Sequence, residues 1–398
     1  MVPALRKKFN EAFTEEKYKA YINDLGNVYP GQLEFRIAET PVFVSKEFTN
    51  KIIAACESII DVVSKPGYHE QSANAIPKHL VVPGEDAHPD CIAFDFGVCE
   101  NEEGELEPQL IEMQGFPTLF AWEVILTDIY QKHFDIPKDY SEYLGGYNRE
   151  SYIELLKRII LDGEDPAQVI LLEIFPHQQK TRVDFYATET LLGIKTVCLT
   201  ELMEEGNQLY YLNDGKKTLI KRVYNRVIFD DLFQQPKEVQ EKGKIFQRQL
   251  DITWVPHPNW FYRLSKYTLP FIQHPYVPET HFLHETVLPR DLENYVVKPL
   301  FSFAGQGVII DVTREDIEKI KDPQNWIIQR KVKYANAIIT PAEPAKAEIR
   351  IFYFWEKNAQ RPVPANNLAR LSKGKMIGVR YNKDKEWVGG SFCLFNHG

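Results

Sequence analysis

The stretch from Gln168 to Thr200 most constrains what this chain can fold into. QVILLEIFP (Gln168–Pro176) is a short continuous apolar run, which reads as a strand buried on both faces. TRVDFYATETLLG reads as a helix ending at Gly193, and IKTVCLT (Ile194–Thr200) as a second buried strand. Strand, helix and strand within about 35 residues make a βαβ crossover, so at least one parallel sheet must form. GNQLYYLNDGKKTLIKRVYNRV then reads as a hairpin turning at Asn213-Asp214-Gly215, its second strand running to Arg226. The spacing thus predicts a small parallel α/β domain over residues 161–260.

The flanking regions have a different texture. Phe48–Lys65 (FTNKIIAACESIIDVVSK) carries apolar residues at helical spacing. Cys91–Gly115 (CIAFDFGVCENEEGELEPQLIEMQG) reads as two strands around an acidic turn, followed by a helix in FAWEVILTDIYQKHF. These belong to an N-terminal segment, 1–160. In the last segment, 261–398, a helix carrying Lys266 leads to a proline-rich turn and Thr280. TREDIEKIKDPQNW is a helix entered at Thr313, with Asp316 completing a capping box. WIIQRKV, Ala347–Trp355 and Gly374–Asn382 are strands.

Composition excludes several classes. A net charge of −9 gives no global positive field for nucleic acid. No apolar run approaches the ~18 residues of a membrane span, and the N-terminus is too polar for a signal peptide. Five scattered cysteines without a CxxC pair argue against disulfides or zinc, so a reducing, cytoplasmic setting is expected. His281 and His284 fall in a proline-flanked turn, poor ground for a metal pair, and no G-x-S-x-G nucleophile motif occurs.

The chemistry concentrates in YVVKPLFSFAGQGVII, Tyr295–Ile310. Alternation sets Val297 on one strand face and Val296 with Lys298 on the other, so the lysine leaves toward an anion. Ser302, Gly305 and Gly307 permit a tight loop whose N–H groups can face a phosphate. A β-hairpin with an exposed lysine and an ordinary glycine turn is the alternative. Gln329 follows inside WIIQRKV, where a strand edge could offer backbone groups to an adenine. Glu348 and Arg350 alternate on one face of AEIRIFYFW, so they must face a polar site or each other. On the early hairpin, Glu112 and Gln114 are two apart and share a face; a solvated acidic hairpin is the plainer reading of that pair.

The ordered set SKYTLPFI, YVVKPLFSFAGQGV, WIIQRKV and EIRIF over residues 260–392 resembles an ATP-grasp ligase. The acidic metal-binding strands that usually follow are absent downstream. A matching pattern stands near the N-terminus instead, in FDFGVC and PQLIEMQG. That order resembles the circularly permuted ATP-grasp proteins of the glutathionylspermidine synthetase type, which form amide bonds. The resemblance implies an α/β (α+β) protein: a circularly permuted ATP-grasp fold with the additional parallel domain, the N-terminal hairpin completing the ATP-grasp sheet.

It also implies ATP and Mg²⁺ as cofactors, with small-molecule carboxylate and amine (or thiol) substrates. Lys298 would contact phosphate. Gly305, Gln306 and Gly307, with Ser302, would form the covering loop. Gln329, Arg330, Lys331 and Val332 would line adenine. Asp95, Glu112 and Gln114 would hold Mg²⁺. Lys298 and Arg350 would act in catalysis. Gln114 stands where the family has Asn, and Ala93 where it has an arginine near the transferred phosphate; Arg36, Arg350 or Arg380 could supply that charge. A nucleotide-binding protein without ligase activity, and an interaction protein that keeps only the fold, are the alternatives.

Overall fold

The computed structural model describes residues 1–301, 307–374, 377, 382 and 384–398. Among them the strands form five sheets. The largest is antiparallel and orders Gly389–Ser391, Val363–Ser372, Lys346–Phe354, Cys91–Glu100 and Leu106–Gln114. Its two middle strands are rich in β-branched and aromatic residues and are buried on both faces. Ala347, Ile349, Ile351 and Tyr353 face one core with Ile92, Phe94, Phe96 and Val98. The helix Lys46–Val63 covers that face with Phe48, Ile52, Ala55, Cys56, Ile59, Ile60 and Val63, the stripe that its periodicity predicts. Ser45 caps it by accepting from the Phe48 N–H. On the opposite face Phe352 and Phe354 pack with Leu155, Leu156 and Ile159. Further along, that same face turns polar.

The crossover at 168–200 forms as its pattern requires. Val169–Glu173, helix Arg182–Leu192 and Lys195–Cys198 build a parallel unit, closed by Gly193 at φ 75°. Arg222–Asn225 and Thr253–Val255 extend it into an all-parallel sheet. One strand departs from expectation. The run to Arg226 breaks at Lys221: Lys216–Ile220 pairs back on Gln208–Asn213, while Arg222–Asn225 joins the parallel sheet. The Lys221 N–H donates to the Gln168 carbonyl, so the backbone changes partners there.

A third sheet orders Thr280–Phe282, Trp326–Arg330 and Tyr295–Pro299, all antiparallel. The helix expected around Lys266 is instead a four-residue α-helix at Trp260–Arg263 and a separate 3-10 helix at Lys266–Phe271. Pro270 lies inside the latter and cannot continue an α-helical ladder. The helix after Thr313 runs Arg314–Glu318 with its capping box formed by Asp316. The expected strand over 374–382 lies mostly outside the described residues. Among the described residues no helix is long and apolar enough to cross a membrane.

Candidate active site

The site grows from one irregularity in the hairpin. Between Cys91–Glu100 and Leu106–Gln114 the register shifts, so that Asp95 faces Glu112 while Phe96 faces Leu110. Ile111 is therefore a bulge residue. An uninterrupted strand would place 110 and 112 on one face. The extra residue instead sends Leu110 and Met113 into the core and leaves Glu112 and Gln114 together outside it. The bulge also aims the Ile111 carbonyl at the neighbouring sheet, where it accepts from Lys298 Nζ at 3.3 Å.

Register then lays a polar row across the large sheet. Arg350 is paired with Asp95, and Asp95 with Glu112. Two residues along, on the same face, Arg370 is paired with Glu348, and Glu348 with Gly97. Arg350 Nε and Nη2 donate to the two oxygens of Asp95 at 2.5 and 2.6 Å. Arg370 Nη2 donates to Asp95 Oδ2 at 2.8 Å and also to Glu348. Glu348 Oε2 accepts the Tyr334 hydroxyl at 2.9 Å. Burial pushes the Asp95 carboxyl up, but the two guanidiniums more than offset this and hold it below its usual range. Burial raises Glu348, against the pull of Arg370.

Gly97 makes room for this network. A Cβ there would stand 2.7 Å from the Tyr334 ring. The bare backbone at Gly97 lets the Tyr334 ring approach closely, and its hydroxyl reaches Glu348.

The lysine strand closes the site from the third sheet. Lys298 Nζ donates to Gln329 Oε1 at 2.6 Å, and Gln329 Nε2 donates to Thr280 Oγ1 at 2.9 Å. Burial first, and then the positive charge of Lys266, push the Lys298 amine down to about 8, against the pull of Glu112 and Glu348. Burial likewise lowers Lys266, opposed by Glu112. Four cations (Lys266, Lys298, Arg350, Arg370) thus gather around three carboxylates (Asp95, Glu112, Glu348), an imbalance suited to an anion.

Sequence-predicted residues fall into four groups. Lys298, Gln329, Asp95, Glu112, Gln114 and Arg350 come together in or beside this cluster. Gln329 is not at a free strand edge: its strand is paired on both sides, and its amide bridges Lys298 to Thr280. Arg330, Lys331 and Val332 follow where the chain leaves the sheet. The Arg330 and Lys331 N–H groups bond to Glu279 and Asn294, and Lys331 Nζ donates to the Glu293 carbonyl at 2.6 Å. Ser302, Gly305, Gln306 and Arg380 lie outside the described residues. Gly307 sits at φ 72°, where a side chain is disfavoured. Nearby, Val297 and Ile309 exchange backbone bonds at 3.0 and 2.9 Å, so the chain returns beside the lysine strand.

Among the described residues no group of three or more His, Cys, Asp or Glu side chains gathers as a metal cage. Mg²⁺ asks for less, one or two carboxylates with phosphate and water. Glu112 and Gln114 fit that need. Gln114 Nε2 donates to Glu112 Oε1 at 2.9 Å, which leaves its own carbonyl oxygen for a cation. Asp95 does not fit as it stands, since both oxygens are committed to arginines.

Sequence reasoning named Arg370 only as one of four arginines, with Arg36, Arg350 and Arg380, that could meet a carboxylate, and it gave Lys266 no role in the site. Arg370 lies on Val363–Ser372, whose proline and paired asparagines give little strand signal.

The mixed α/β fold, with its large antiparallel sheet and separate parallel sheet, is of the glutathione synthetase-like kind. The chain is similar to a glutathione synthetase-like effector from Globodera pallida, solved in its apo form, with a TM-score of 0.60. The match covers 97% of each chain at 12% identity, and a likeness at that identity is one of fold. No protein-family model and no curated protein matches the sequence.

Proposed function

We propose that this protein is an ATP-dependent carboxylate–amine (or thiol) ligase of the circularly permuted ATP-grasp type, working through an acylphosphate. One observation carries the reading: Lys298, from one sheet, meets the Arg350–Asp95–Glu112 row of another, and the cluster holds an excess of positive charge. The fold-level likeness to a glutathione synthetase-like protein supports it.

In the proposed reaction a substrate carboxylate oxygen bonds to the γ-phosphorus as the bond to ADP breaks, the electron pair leaving with ADP. An amine nitrogen or thiol sulfur then bonds to the acyl carbon. Inorganic phosphate departs with the C–O pair, and the nucleophile gives up its proton. Lys298 and Lys266 would hold phosphate oxygens, and Arg350 with Arg370 would face the acid. Fixed cations placed before the reaction are the dominant contribution in such transfers. Bound by Glu112 and Gln114, Mg²⁺ would neutralise phosphate charge.

The test is the thermal shift of wild type and Lys298→Ala with ATP and Mg²⁺. A hundredfold excess over Kd stabilises by about 2.7 kcal/mol. A rise in wild type that the variant loses supports the site, and acid-dependent ADP release supports the ligase. No rise in either folded protein would end both.

Ala93 favours a second reading. It lies opposite Gln114 and Phe352, where the family that the sequence resembles carries an arginine. A protein that binds nucleotide without ligating would show the thermal shift and no acid-dependent ADP release.

A further inference from the structure

A cavity of about 290 Å³ opens beside the arginine pair, and Lys298 is not among the residues that line it. Arg350 and Arg370 form one wall, and apolar side chains such as Phe35, Ile37, Leu126 and Leu368 form most of the rest. Trp122 and Glu123 also line it. Three buried polar atoms on these lining residues have no hydrogen-bond partner among the described residues: Trp122 Nε1, Glu123 Oε2 and Arg370 Nε. Glu123 is 2% exposed and Trp122 is fully buried. Leaving such groups unpaired is costly, so a ligand that satisfies them binds with that cost returned.

The helix that carries Trp122 and Glu123 is firmly placed. Asp184, fully buried, accepts from the N–H groups of Leu119, Ala121 and Trp122 at 2.9–3.0 Å and from the Thr118 hydroxyl at 3.1 Å. The backbone that carries both orphan groups is therefore fixed beside the cavity. Burial and the nearby Asp184 raise the Glu123 carboxyl well above its usual range, against Arg350. The shift favours its protonated form, which can donate.

We infer that this cavity receives the acid substrate, and that the acid is a compact, largely apolar carboxylic acid bearing one hydroxyl or carbonyl oxygen. The carboxylate lies against Arg350 and Arg370, toward the phosphate side of the cluster. The apolar body fills the chamber, and its oxygen accepts from Glu123 or Trp122. Arg36 and Lys180 also line the cavity, but most of its wall is apolar, so a multiply charged acid would lose more solvation there than one whose body is apolar. This assignment rests on the ligase reading above, but it is tested apart from it.

The experiment titrates the full chain, without nucleotide, with 4-hydroxyphenylacetate, phenylacetate, 4-hydroxyphenylacetamide and L-glutamate. Tryptophan fluorescence and thermal shift are the readouts. MgATP binding is measured in parallel. The expected order places 4-hydroxyphenylacetate first, at least tenfold tighter than its amide and than glutamate. Leu126→Phe, which fills the chamber, should weaken the acid at least tenfold and leave MgATP binding unchanged. Glu123→Leu should erase the preference for 4-hydroxyphenylacetate over phenylacetate. Glutamate binding as tightly as the aromatic acids, displacement of the acid by ATP alone, or no acid binding to protein that binds MgATP would each overturn the inference. Acid binding without any MgATP binding would uphold the cavity assignment while ending the ligase reading.

Discussion

Arg350 and Asp95 stand opposite each other on adjacent strands and join through a two-point fork, at 2.5 and 2.6 Å, with Asp95 fully buried. In the proposed ligase this pair would stand between the acid and the phosphate. Removing one member strands the other. Asp95→Asn leaves Arg350 and Arg370 without their shared counter-ion and should cost about 3–5 kcal/mol in urea unfolding. Arg350→Met should cost a similar amount. The double variant should cost clearly less than the sum, because the groups interact directly. Additive losses would show that the pair is not coupled.

Lys298 gives the site a pH signature. With its amine pushed down to about 8, the free protein sheds that proton as pH rises through 8. Phosphate favours the charged form, so nucleotide binding above pH 8 must reload a proton. Affinity for MgATP should be flat in this respect below pH 7 and fall toward tenfold per pH unit above 8. Calorimetry in buffers of different ionisation enthalpy should show proton uptake near pH 8.5. Lys298→Arg should abolish both effects. Folding has its own sign: the depressed value means the unfolded chain binds more protons between 8 and 10.5, so stability from this group rises with pH across that window.

Gly97→Ala should act on the site through Tyr334. The new methyl would meet the ring at 2.7 Å, and the ring must move. Overpacking of this kind costs about 1–3 kcal/mol. Losing the Tyr334–Glu348 bond would raise the Glu348 carboxyl further. Chemical denaturation measures the first effect, and Tyr334→Phe, which keeps the ring but drops the hydroxyl, separates the second.

Asp184→Ala removes an acceptor from four donors at once. Three of them are backbone N–H groups at the entry to helix Trp122–Tyr130. A stability loss of about 2–4 kcal/mol is expected, since buried donors are left unpaired. Hydrogen exchange should quicken first at residues 119–122. Unchanged protection there would show that the helix is held by packing alone.

Much of this was legible in the sequence because it is local. The crossover at 168–200, the early hairpin and the helix over Lys46–Val63 each declare themselves by periodicity. The alternation of Glu348 with Arg350 already requires polar company. What periodicity does not carry is partnership at a distance. Arg350 and Asp95 are 255 positions apart, and no local pattern says that their strands are neighbours. The bulge at Ile111 is equally silent, because a surplus residue shows only once the opposite strand fixes the register. Lys266 was hidden by a proline-interrupted segment that reads as helix or turn with equal ease.

The large sheet has one more consequence, for how the molecule is made. Its hairpin, Cys91–Gln114, emerges early from a ribosome, whereas Lys346–Phe354 and Val363–Ser372 emerge some 230 residues or more afterwards. Until then Asp95 has no cation to sit beside, and the strand that carries it has an open edge. The nascent chain must carry a half-built sheet while all the intervening residues are made, and the cluster around Asp95 comes together only when the later strands arrive.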